Sequence, residues 1–132
     1  MGYYMTLESS KFRIDIKNHR KALKAIKALS GGEGCGHHFS WVDTTDFKKA
    51  KTLAEALEAW RWDAEMDEDY NIIGIDFGGE KLGDDEILFR AIAPFVESGS
   101  YLELQGEDGC LWRWRFDNGG FRQQDSKIVW ED

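Results

Sequence analysis

Cys110-Leu111-Trp112-Arg113-Trp114-Arg115-Phe116, running on into Asp117-Asn118-Gly119-Gly120, is the stretch that decides the fold class. Successive side chains on a strand point to opposite faces. The alternation therefore places Trp112, Trp114 and Phe116 on one face and Arg113 and Arg115 on the other. Large rings are usually buried, so the aromatic face is expected to be core. The arginine face is expected to pair with acids across a sheet.

Asp108-Gly109 on one side and Asn118-Gly119-Gly120 on the other are hairpin turn signals. Tyr101–Gln105 supplies a pairing strand upstream, and Ile128 and Trp130 fit a last strand downstream. The final third thus reads as an antiparallel meander.

Further upstream, Trp60, Trp62, Ala64 and Met66 alternate with Arg61, Asp63 and Glu65, which reads as a strand. Asp67-Glu68-Asp69 makes an acidic turn, and Ile73, Ile75 and Phe77 share one face of a returning strand. Tyr3, Met5 and Leu7 mark a strand near the start, Phe12–Ile16 a second strand-like run, and residues 38–42 a short strand.

Three helices separate these runs. The first is capped by Asn18 and turns Ala22, Leu23, Ile26 and Leu29 inward, with Gly31 as its C′ residue. The second starts at Thr52, with Glu55 at capping-box spacing and Leu53, Leu57 and Trp60 facing the core. The third follows Asp84, carries Asp85 and Glu86 where the helix dipole favours anions, and turns Ile87, Leu88, Ala91, Ile92 and Phe95 inward. Pro94 ends it. The order predicts an α+β fold: one antiparallel sheet of about six to eight strands, with three helices packed mainly on one face.

The 132 residues fit a single domain, 1–132, and 42% of them are hydrophobic, enough for a core without disulfide or metal. No apolar run is long enough to span a membrane. The start, Met1-Gly2-Tyr3-Tyr4-Met5-Thr6, fits a loose myristoylation pattern, but its alternation reads as strand. It is not a secretory signal, so Cys35 and Cys110 are expected as reduced thiols in a cytoplasm.

Net charge is −8, unevenly spread. Residues 1–51 hold ten Lys and Arg against five Asp and Glu; residues 52–132 hold seven against twenty. The two parts could satisfy each other within one molecule or pair protomers in a homodimer.

Cys35, His37 and His38 gather three soft-metal ligands in four residues, but a structural zinc site needs four, and the chain offers no second cluster. Asp67-x-Asp69-x-Asn71 begins like a calcium loop, yet Ile72 and Gly78 occupy the places that need Gly and Glu. Lys17, Arg20, Lys21, Lys24 and Lys27 line the first helix, but the acidic whole opposes nucleic acid. No nucleophile elbow, phosphate loop or dinucleotide motif occurs. No cofactor and no catalytic set are expected.

The segments Thr52–Trp60, Gly79–Asp85 and Gly106–Gly109, with Trp112-Arg113-Trp114, resemble a scattered group of small uncharacterised proteins of bacteria and mobile genetic elements. The resemblance covers about residues 52–116 and transfers no site residue. It implies a bacterial or phage cytoplasm.

Asp63, Glu65, Asp67, Glu68 and Asp69 set five carboxylates within seven residues with no base among them. The leading expectation is a non-enzymatic interaction protein that binds a basic protein partner there. A small-molecule or carbohydrate module with a groove lined by Trp60, Trp62, Trp112 and Trp114 is the alternative. A metal-dependent enzyme using Cys35, His37 and His38 comes third.

Overall fold

The computed structural model describes residues 3–29, 41–42 and 44–126. The Cys35, His37 and His38 constellation, the strand expected over 38–42 for the most part, Gly31 as a cap and the strand at Ile128 and Trp130 lie outside these residues.

The alternation of residues 112–116 is realised as β6 (Leu111–Asp117), with Trp114 and Phe116 buried. It pairs with β5 (Ser100–Gly106) and with β7 (Gly120–Asp125). Asn118 (φ 52°) and Gly119 (φ 81°) form the two-residue link to β7. Both sit in the left-handed region that such hairpins require. β1 (Tyr3–Lys11) joins the other side of β5, and the short β4 (Lys81–Leu82) joins β1. The sheet order is β4-β1-β5-β6-β7, antiparallel throughout.

The α+β class stands, but a single large sheet does not form. β2 (Trp62–Met66) and β3 (Ile72–Phe77) make a separate two-stranded sheet. There are four α-helices among the described residues rather than three: α1 (His19–Ala28), α2 (Thr44–Lys49), α3 (Leu53–Ala59) and α4 (Asp85–Ile92). The unforeseen α2 is only six residues long and buries Phe47 against Trp60, with ring centroids 5.6 Å apart. A helix so short carries little periodic signal.

Local sequence accounts for most helix ends. Thr52 Oγ1 accepts a hydrogen bond from Glu55 N, while the Glu55 carboxylate accepts from Lys51 N, one residue ahead of the cap. α4 closes into a single 3-10 turn at Ala93–Phe95 that contains Pro94. Asn18 precedes α1 as expected but caps it without a side-chain bond, because a 3-10 turn over Ile16–Asn18 already holds the backbone.

Two inward-facing assignments change. The α4 stripe is Asp85, Leu88, Phe89 and Ile92, while Ile87 is exposed. Trp60 is buried at the C-cap of α3, facing the core as the helix stripe predicts, and the strand begins only at Trp62. Ile75 faces the core as expected, but a register shift between Glu65 and Met66 brings Ile72 inward and leaves Ile73 outside. A bulge of this kind swaps faces because strand side chains alternate. Phe12–Ile16 gives only a bridge, Ile14 to Ile72, which fastens the hairpin to the N-terminal segment.

Phe89 is the centre of the core. Its ring lies 4.9 Å from Trp62 of the small sheet, and 5.6 and 5.9 Å from Trp114 and Phe116 of the large one. One helix residue thus joins both sheets. Burying a ring of this size stabilises by roughly 1.5–3 kcal/mol.

Candidate functional site

The β2–β3 hairpin has two unlike faces. Trp62 and Ala64 of β2 stand opposite Phe77 and Ile75 of β3, on the side turned to the core. Asp63 stands opposite Asp76, and Glu65 opposite Gly74, on the side turned to solvent. Asp63, Glu65 and Asp76 thus lie along one shallow concavity of about 350 Å³ that Gly74 also lines. A Cβ at Gly74 would sit 3.0 Å from a Glu65 carboxylate oxygen, so glycine leaves room for that side chain.

Like charges directly opposite on a sheet repel. Among the described residues, no ion pair engages Asp63, Glu65, Glu68, Asp69 or Asp76. Asp67 differs from its neighbours. Its Oδ1 accepts from Asp69 N and Asn71 N, both at 2.9 Å, and its Oδ2 accepts from Asn71 Nδ2 at 3.2 Å. The hydrogen bond from Asn71 N is the main cause holding its carboxyl below the ordinary 3.8. Asp67 therefore builds the turn. Of the five expected carboxylates, the structure brings Asp63 and Glu65 together, puts Glu68 and Asp69 at the turn, and adds Asp76, which is visible only once the register is known.

The hairpin is held in place by a buried polar joint. Asp85 is 0% exposed. Its carboxylate accepts from Arg61 Nη2 at 3.0 Å, Trp62 Nε1 at 2.9 Å and Gly83 N at 2.9 Å. Arg61, whose side chain is 15% exposed, also donates to Lys81 O at 2.7 Å and lies over the Phe77 ring. A buried carboxylate needs this kind of full satisfaction. The sequence does hold a clue: Asp85 has the i, i+3, i+4, i+7 spacing of Leu88, Phe89 and Ile92, the stripe that faces the core.

The four tryptophans of the alternative site do not form one groove. Trp60 and Trp62 are fully buried, and Trp114 nearly so, with its Nε1 donating to Gln123 Oε1 at 3.0 Å. Trp112 is half-buried and borders two open recesses of about 340 and 410 Å³. The larger is walled by Tyr3, Leu82 and Trp112, with Asp84, Glu86 and Gln123 also lining it. Tyr3 stands 6.3 Å from Trp112 and donates a short hydrogen bond to Asp108. That bond raises the phenol to about 12 and lowers the carboxyl. A Cβ at Gly106 would collide with the Tyr3 ring, so glycine is needed beneath it. The Cys110 thiol, also hydrogen-bonded to Asp108, is pushed up and thus kept protonated.

Among the described residues, no His, Cys, Asp and Glu side chains gather as a metal site. No helix among them is long and apolar enough to cross a membrane. No known family model matches the chain, and neither a curated protein nor a solved structure does.

Proposed function

We propose that this protein is a non-enzymatic binding protein whose hairpin presents Asp63, Glu65 and Asp76 to a basic protein partner. The observation that carries this reading is the facing pair Asp63 and Asp76, set beside Glu65 with no cation bound to any of them among the described residues. Such an arrangement costs stability on its own and is relieved when a partner supplies Lys or Arg. The buried joint at Asp85 keeps the strands fixed, so little ordering is required on binding.

A Lys/Arg-rich peptide titrated into the protein at low salt tests this reading. Binding should weaken steeply as salt rises, and Asp63→Asn, Glu65→Gln and Asp76→Asn together should weaken it at least about tenfold, or 1.4 kcal/mol. Affinity that ignores salt and these three changes would count against it.

A second reading has its own observation: Trp112 keeps part of its ring exposed beside Tyr3 in a recess of about 410 Å³. Aromatic walls with carboxylates at hand suit a small polar ligand such as a sugar. Quenching of tryptophan fluorescence by a sugar, lost in Trp112→Ala, supports it; silence across a ligand panel removes it.

A further inference from the structure

An apolar groove of about 480 Å³ runs between α1, the start of α3 and the end of the hairpin. Ile16, Leu23, Leu53, Met66 and Tyr70 border it. Ile16 is 49% exposed, Met66 44% and Tyr70 64%, so three large side chains meet water around one depression. Scattered exposed apolar residues are ordinary; a group around one concavity marks an interaction surface.

Tyr70 is held out deliberately. Its φ is 64°, a left-handed backbone that bulky residues rarely adopt. The turn is fixed around it by Asp67, by the bond from Tyr70 N to Asp67 O, and by Asn71 Oδ1 accepting from Ile16 N at 2.8 Å. A rigidly presented tyrosine is the usual anchor of an interface.

The charges identify what fits. Arg20 and Lys51 line the groove, while the turn that carries Tyr70 also carries Glu68 and Asp69. A wholly basic partner would meet Arg20 and Lys51 unfavourably, and a wholly acidic one would meet Glu68 and Asp69. A surface that combines both signs with an apolar centre can complement itself. Two-fold pairing sets each copy's turn against the other's Arg20 and Lys51, because such an interface uses the same patch twice. We propose that this groove is the seam of a homodimer, with Tyr70 of each copy seated in the groove of the other.

Light scattering over a concentration series tests the seam. The wild-type chain should show twice its 15.2 kDa mass at high concentration. Tyr70→Asn suits the left-handed backbone, so it should fold at least as well and yet raise the dimer dissociation constant by about thirtyfold or more. Glu68→Lys with Asp69→Lys should give monomers, as should Arg20→Glu with Lys51→Glu, and mixing the two variants should restore a dimer. A monomer at every concentration overturns the proposal. So does a dimer that Tyr70→Asn and both charge reversals leave intact, since its seam lies elsewhere.

Discussion

On the outside of the large sheet, Arg113 stands opposite Glu103 and binds it, while Asp117 takes Arg115 at 3.6 Å and Arg122 at 3.8 Å. On the outside of the hairpin, Asp63 stands opposite Asp76 with Glu65 beside them, and no cation answers among the described residues. Both faces are exposed antiparallel strands under the same backbone rules. The first is a neutralised surface that maintains a fold. The second has no such pairing among the described residues, and the proposed basic partner would supply it.

The contrast can be broken at its mechanical root. Asp85→Ala would strand Arg61, Trp62 Nε1 and Gly83 N in a closed site. Breaking such a pair costs about 3–5 kcal/mol, and urea denaturation should read a loss of that size. A loss below about 1 kcal/mol would mean that water or another anion replaces the carboxylate.

Binding sharpens the contrast. Glu103→Gln lies on the neutralised face, so it should leave affinity for a basic peptide within about twofold, whereas the three hairpin substitutions lower it at least about tenfold. Isothermal titration at low salt would separate them. Equal losses from the two faces would reduce the effect to overall net charge.

A pH profile tests an acid that is built into the fold. The Tyr3–Asp108 bond needs a neutral phenol and an ionised carboxylate. Asp108 titrates below 3.8 in the folded state, so its contribution is present above that pH and lost as pH falls further. Tyr3 is raised from 10.0 to about 12, so its contribution is complete below pH 10 and disappears as pH rises through 12. The stability difference between wild type and Tyr3→Phe should therefore be flat between these limits and shrink outside them. Thermal midpoints across pH would show it.

Strong periodicity made much of the fold legible. Trp112 to Phe116 declares both faces of β6, Asn118-Gly119 fixes its turn, and Thr52 with Glu55 starts α3. What escaped depends on distant partners. β4 has two residues, and only β1 makes it a strand. The bulge at Glu65 and Met66 follows from how the hairpin seats on the core, so Ile73 cannot be told from Ile72 beforehand. The acidic site was half legible for the same reason. Local sequence shows many carboxylates, but only pairing register selects Asp76 as the third member and only loop geometry withdraws Asp67. Asp85, flanked by Asp84 and Glu86, looks like one more dipole-favoured acid until the stripe is traced through it.

The smallest effect bears most directly on the central claim. Asp63→Asn and Glu103→Gln make the same chemical change on two exposed strands, and urea midpoints at low salt compare them. The account predicts opposite signs: Asp63→Asn raises the midpoint by relieving repulsion from Asp76, of the order of 0.5 kcal/mol, while Glu103→Gln lowers it by a similar amount. A midpoint that falls for Asp63→Asn would mean its carboxylate is already satisfied within the molecule, and the hairpin would hold no charge in reserve for a partner.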